Sequence, residues 1–209
     1  MTIFSICNIK GGSGKSTTAI HLVSFLSNHG FKTALVDCDG QQSLSAWANS
    51  VDSLKELTIF KSTDTDEIED EIIKLESSYD AVVVDTAGSS EETMKIVISL
   101  SDRVVIPLSP SSLDITSTVA TIKQVVRARR RAAKNISATV FLNKVVKNTT
   151  LLKETRELFA DFEDIKFSSV EIPHTQRIIR LTSDKQTAFD SKSNEDLANL
   201  YSQLFAQII

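Results

Sequence analysis

Six short stretches of this chain are apolar or β-branched at almost every position, and no other feature limits the fold so strongly. They are Thr2–Cys7, Thr33–Val36, Ala81–Val84, Val104–Ile106, Ala138–Leu142 and Ser168–Ile172. A strand with one face in water alternates apolar and polar residues, whereas a strand covered on both faces does not. Between these runs lie segments of helical periodicity near Lys15–His29, Asp66–Ser77, Glu91–Leu100, Leu113–Ala133, Thr149–Ala160 and Asn194–Ile208. Gly30 stands where a glycine cap ends the first of them. The alternation predicts an α/β chain, a doubly wound and mostly parallel sheet with helices on both faces. Residues 1–209 carry no repeat and no Gly-, Pro- or Ser-rich linker, so one domain is expected. The acidic stretch Asp64–Glu76 reads as a solvated helix face.

Charge and apolar content exclude several classes. Lys and Arg number 23 against 27 Asp and Glu, a net charge of −4, so nucleic acid cannot be coated by bulk charge and any such contact needs a local patch. No apolar run approaches the ~18 residues of a membrane span. Met1 to Ile9 lacks the basic start of a signal peptide, which predicts a cytoplasmic protein without membrane attachment. Cys7 and Cys38, inside apolar runs, are expected to be buried thiols in a reducing compartment.

Between the first strand and the first helix the chain reads Asn8-Ile9-Lys10-Gly11-Gly12-Ser13-Gly14-Lys15-Ser16-Thr17. Small residues in succession let backbone N–H groups turn inward around a polyphosphate, and the helix N-terminus adds positive potential. Lys15 would reach the β- and γ-phosphates and the Ser16 hydroxyl a Mg²⁺ ion. A dinucleotide fold is excluded because Thr17 stands where its third glycine belongs. The strict phosphate loop wants glycine at position 9; here there is Ile9, followed by Lys10.

That departure, Lys-Gly-Gly-x-Gly-Lys-Ser, resembles the deviant Walker A loop of the ParA/MinD family of P-loop ATPases. The resemblance implies that Lys10 crosses a homodimer interface to the nucleotide of the other subunit, as an arginine finger does elsewhere. Gly11, Gly12, Ser13, Gly14, Lys15, Ser16 and Thr17 would hold ATP. Without that context, Lys10 would be a solvated loop lysine.

The second strand ends Val36-Asp37-Cys38-Asp39-Gly40-Gln41-Gln42, and strand carboxyl ends in open α/β sheets face the ligand crevice. The family carries Asp-x-Asp-Pro-Gln here, so Asp39 matches the aspartate that positions attacking water, while Gly40 replaces the usual proline. Ala81–Asp85 has the form of a Walker B strand, in which an acid after buried apolar residues holds Mg²⁺ through water. Ser16, Asp39 and Asp85 form the expected Mg²⁺ set. Each carboxylate alone could equally be a helix cap or a surface turn. Gly88 resembles the switch glycine near the γ-phosphate, with Ala87 in place of a common proline. In Phe141-Leu142-Asn143-Lys144-Val145-Val146, Val146 occupies the place of the guanine-reading aspartate of GTPases and cannot accept a hydrogen bond. Asn143 suits the adenine edge, so ATP is expected over GTP, unless Asn143 merely ends a strand.

Lys123, Arg127, Arg130, Arg131 and Lys134 form a basic stripe at helical spacing, opposite Ile115, Val119, Ile122 and Val126. Such a stripe suits phosphate contacts to DNA of any sequence, or simply a cationic helix C-terminus. Pro173–Arg180 resembles the family segment after its last core strand, which makes Arg177 and Arg180 further DNA candidates. The resemblance runs from Thr2 to the last helix and is nearest to short, ParF-like partition ATPases. It implies an ATP-switched, nucleoid-associated homodimer that positions DNA and is stimulated by a ParB-like partner. Three alternatives stand beside it: a MinD-like or other cargo positioner, a small-molecule kinase with Arg127–Arg131 as a phosphate-gripping lid, and a binding module without hydrolysis. The membrane version needs a basic amphipathic tail, whereas Leu204, Phe205, Ile208 and Ile209 read as a docked core helix.

Overall fold

A computed structural model describes residues 1–88, 90–131, 134–160 and 162–209. Within them the order is β1 (Thr2–Ile6), α1 (Lys15–Asn28), β2 (Thr33–Asp37), α2 (Ser43–Ser50), β3 (Thr58–Lys61), α3 (Thr65–Leu75), β4 (Ala81–Asp85) and α4 (Glu91–Leu100). Then come β5 (Arg103–Leu108), α5 (Ser112–Arg131), β6 (Ser137–Val145), α6 (Thr150–Ala160), β7 (Lys166–Pro173), α7 (Gln176–Ser183) and α8 (Glu195–Ala206). Every strand pairing is parallel, and the sheet order is β3-β2-β4-β1-β5-β6-β7. The expected doubly wound sheet is therefore present.

Its core explains the unbroken apolar runs. Ala81 and Val83 of β4 face one layer, with Leu22, Leu26, Leu44, Tyr201 and Phe205 from α1, α2 and α8. Val82 and Val84 face the other, with Ile68 and Ile72 of α3 and Val97 of α4. Successive strand residues point to opposite faces, and here both faces are covered. Of the four apolar residues expected to dock at the chain's end, Leu204 and Phe205 of α8 and Ile208 just after it are buried, whereas Ile209, past the last turn of the helix, is half exposed. Cys7 and Cys38 are buried free thiols. The α1 helix ends as its glycine predicts: Gly30, at φ +82°, donates to Ser27 O, and Phe31 N donates to Leu26 O.

Four elements depart from the expectation. The β3 strand is four residues long at the sheet edge and half-exposed, so it lacks the apolar saturation that marks the others. The helices α2 and α7 are one-sided eight-residue segments, too short for periodicity to stand out. The strand β6 runs three residues past Leu142. Residues Ala132 and Ala133, expected at the end of α5, lie outside the described residues.

Candidate functional site

The α1 helix begins where its first N–H groups have no protein partner among the described residues. Its N-cap is Gly14 in the left-handed region, which offers no capping side chain, and its first turn has no acid. The contrast with α3 is direct: there Asp64 accepts from Asp66 N and Glu67 N at 3.0 and 3.1 Å, and acids fill the first turn. Orphan N–H groups at an uncapped, positive helix end favour an anion.

The loop before α1 is held from three sides. On the β5–α5 side, buried Asn8 donates to Pro107 O at 2.9 Å and Thr118 Oγ1 at 3.0 Å, and its Oδ1 accepts from Lys10 N. On the β4 side, Gly88 packs so closely that a Cβ there would lie 3.1 Å from each of Gly11 N, Ile9 O and Lys15 Nζ. On the β6 side, Asn143 Nδ2 donates to Ser13 O at 2.8 Å and Lys144 Nζ to Gly12 O at 2.5 Å. Gly12 and Gly14 have φ of +77° and +98°, and a Cβ on Gly14 would land 2.1 Å from Asn143 Nδ2. Glycine at 14 is thus required twice, by conformation and by contact.

Around this loop the strand ends bring together charges that sequence had only placed in order. Lys15 is buried with Nζ 3.3 Å from Lys10 O; burial holds its ammonium below the usual range, and Asp85 and Asp39 oppose that. Asp85, the last residue of β4, is completely enclosed and neither carboxylate oxygen has a hydrogen-bond partner among the described residues. Burial pushes it up to about 7, and neighbouring Asp37 and Asp39 add to the rise. Lys15 and the Ser16 hydroxyl oppose it, the latter close enough to act on the charge without making a well-formed hydrogen bond. Asp37 is the structural acid of its pair: it accepts from Ser45 N and Ser45 Oγ at 3.0 and 2.6 Å. Asp39 is only half-buried, and its Oδ1 accepts from Gln41 N. Cys7 lies beneath, its thiol pushed up to about 11 by burial and therefore inert.

These groups fit a magnesium ion. Two buried oxygens without a partner, next to a serine hydroxyl and a half-buried second carboxylate, are a donor set for a hard cation that a phosphate completes. Among the described residues no cluster of three or more His, Cys, Asp or Glu could hold a metal unaided. Mg²⁺ habitually takes one or two carboxylates plus phosphate and water, so that finding agrees with the assignment.

Asn143 lines a pocket of about 290 Å³ with Gly14, Thr17, Lys144, His174, Ile178 and Thr182. One of its two amide N–H groups holds the loop, and the other N–H and the carbonyl oxygen remain for a base. Asn8, Lys144 and the α7 side of this pocket had no sequence signal beyond their place next to motifs.

The basic residues divide. Arg127, Arg130 and Arg131 are exposed, and Arg127 and Arg131 line a groove of about 320 Å³ between α4 and α5. Lys134 instead pairs with Asp102 at 3.0 Å. The α5 helix runs back from the carboxyl edge of the sheet, so its arginines lie roughly 20–30 Å from its start, at the opposite edge from the loop. A phosphate-gripping lid from Arg127–Arg131 is therefore ruled out. Arg177 is engaged: its guanidinium reaches Asp196 at 2.5 and 2.8 Å and Ser193 O at 2.7 Å. Arg180 is exposed on the same helix, at the carboxyl edge. The two arginine groups are thus not brought together. Among the described residues no helix is long and apolar enough to cross a membrane.

Comparison with known proteins agrees with this geometry. Residues 4–188 match the family described as the CobQ/CobB/MinD/ParA nucleotide binding domain. The chain is 34% identical over 120 residues to a ParA protein of Rhizobium radiobacter, covering 56% of this chain and 52% of that one. It is 30% identical over 143 residues to a maintenance of carboxysome distribution protein A of Halothiobacillus neapolitanus, covering 66% and 64%. The matches thus span between about half and two-thirds of these relatives. In fold it is similar to a putative plasmid partition protein from Borrelia burgdorferi bound to AMPPNP, with TM-score 0.74, 21% identity and 99% of both chains covered. It is also similar to apo McdA from Cyanothece, with TM-score 0.80, 16% identity and 99% and 98% coverage. A match over residues 4–188, which takes in the loop and acids described above, makes this chain a member of the CobQ/CobB/MinD/ParA nucleotide-binding domain family.

Proposed function

We propose that the protein is a Mg²⁺-dependent ATPase of the ParA type that pairs on ATP and positions DNA or another cargo along DNA. The observation that carries this is the enclosed, unpartnered Asp85 carboxylate facing a glycine loop whose helix end is uncapped. Gly11–Thr17 would cradle the triphosphate, with Lys15 on its terminal phosphates. Ser16, Asp85 and the half-buried Asp39 would hold Mg²⁺, which when bound neutralises phosphate charge and favours attack by water. Asp39 would orient that water, and the free face of Asn143 with the pocket beside it would take the base. Lys10, exposed at the mouth of the loop, would act on the nucleotide of a second subunit.

Exposed Arg127, Arg130 and Arg131 would contact DNA phosphates without base readout, with Arg180 contributing from the other edge. Arg177, already paired with Asp196, serves the α7–α8 packing in this scheme rather than DNA. A relative named for carboxysome distribution and a structural neighbour described as a putative plasmid partition protein leave the cargo open between organelle and plasmid, and a ParB-like adaptor would stimulate hydrolysis.

ATP turnover and sedimentation, with and without Mg²⁺ and random-sequence DNA, test the proposal. Dimerisation on Mg-ATP, salt-sensitive DNA binding and turnover lost in Lys10→Ala but with nucleotide binding kept are expected. A chain that stays monomeric with Mg-ATP would overturn the dimer mechanism.

A further inference from the structure

The β6 strand meets β7 out of step near the site. Leu142 is opposite Glu171, yet Val145 is opposite Pro173, so three residues on β6 match two on β7. The extra residue is a bulge, and Lys144 within it has φ +55°. Left-handed backbone at a lysine is unfavourable and persists only where the surroundings demand it. Its effect is specific. Neighbouring side chains on a regular strand point to opposite faces, so Asn143 and Lys144 should not reach the same target. The bulge re-aims Lys144, and both side chains now grip consecutive carbonyls of the phosphate loop, Ser13 O and Gly12 O.

A trans peptide places C=O and N–H on opposite sides, and the chain has no cis bonds among the described residues. Holding Gly12 O and Ser13 O toward β6 therefore turns the Ser13 and Gly14 N–H groups away from β6, into the cradle. Without Lys144 the Gly12–Ser13 peptide, flanked by a glycine at φ +77°, is free to rotate. The Gly12 carbonyl would then compete for the position of the donor. Lys144 also lines the pocket proposed for the base, so one residue joins both halves of the nucleotide.

We infer that Lys144 is a positioning residue for nucleotide binding, which presets the Ser13 amide toward the β-phosphate through its bond to Gly12 O. This rests on the nucleotide-binding reading above and concerns affinity rather than the chemical step. Lys144→Met and Lys144→Gly are the informative pair, because glycine keeps the left-handed backbone without strain while removing the ammonium. Binding of Mg-ADP and Mg-ATP is measured by calorimetry, with turnover against ATP concentration. Both variants are expected to bind ADP and ATP about tenfold more weakly and to raise KM by a similar factor. Their kcat and thermal midpoint without nucleotide should stay within about twofold and about 2 °C of wild type. Lys144→Arg should recover most of the affinity. ADP binding within twofold of wild type in both variants would overturn the inference, and so would a loss seen in Met but not Gly, which would assign the effect to backbone strain. Wild-type protein that binds neither nucleotide would instead overturn the nucleotide-binding reading itself.

Discussion

Two strands deliver polar side chains to the same loop and treat them in opposite ways. At the end of β4, Asp85 is sealed from water with neither oxygen satisfied. At the end of β6, Asn143 and Lys144 are each bonded to a loop carbonyl. Burying a charge without a partner is costly, so the first arrangement survives only where something outside the chain completes it. Satisfied polar groups stiffen what they touch, so the second is scaffold. The loop thus has a wall waiting for ligand and a wall that holds it in shape.

The comparison is broken most severely from the ligand side. Lys15→Ala removes the only buried cation of that wall among the described residues and should lower ATP affinity at least a hundredfold, read by calorimetry, with the fold kept by circular dichroism. Normal affinity would refute the placement of the phosphates. Asp85→Asn should leave ATP bound but reduce Mg²⁺-dependent turnover on the order of a hundredfold. Unchanged turnover at saturating Mg²⁺ would show that the orphaned carboxylate has another use.

The scaffold wall should fail differently. Gly14→Ala forces a methyl into Asn143 and a left-handed backbone on alanine, so a stability loss of about 1–3 kcal/mol is expected in urea unfolding without nucleotide. Unchanged stability would show that neither the contact with Asn143 nor the left-handed backbone constrains position 14.

The smallest effect concerns pH. His21 of α1 is buried against Tyr201, with ring centroids 4.1 Å apart, and its Nδ1 bonds Thr17 O at 2.6 Å. Burial lowers its pKa to about 4. An unfolded histidine titrates near 6.5, so stability is unaffected by His21 above that pH and falls as pH drops from about 6.5 to about 4. The loss is on the order of 3 kcal/mol. His21→Phe, which keeps the stack on Tyr201, should flatten that acid limb and leave ATP binding at pH 8 within about twofold. Equal acid limbs in the two proteins would show that another group controls it.

Most of the site was legible because its signals are local. The glycine loop, Lys15, Asp39 and Asp85 each follow an apolar strand directly, and a parallel sheet aligns strand ends at one edge. What could not be read depends on partners distant in the chain. Arg177 reads as a free cation until α8 brings Asp196 to it. The cluster Arg127–Arg131 leaves a lid open as an alternative until the direction of α5 carries it to the far edge. Asn8 looks like a loop residue until Thr118 and Pro107 enclose it.

By itself, then, the amino-acid order determined the layering, the parallel sheet and the chemistry lining the cradle, because these follow from burial on two faces and from backbone freedom within a few residues. The tertiary structure alone decided which carboxylate stays unsatisfied, which arginines remain free and where Lys144 points. Those outcomes turn on the pairing of β6 with β7 and on helices packed tens of residues apart, where desolvation and register, not local preference, set the balance.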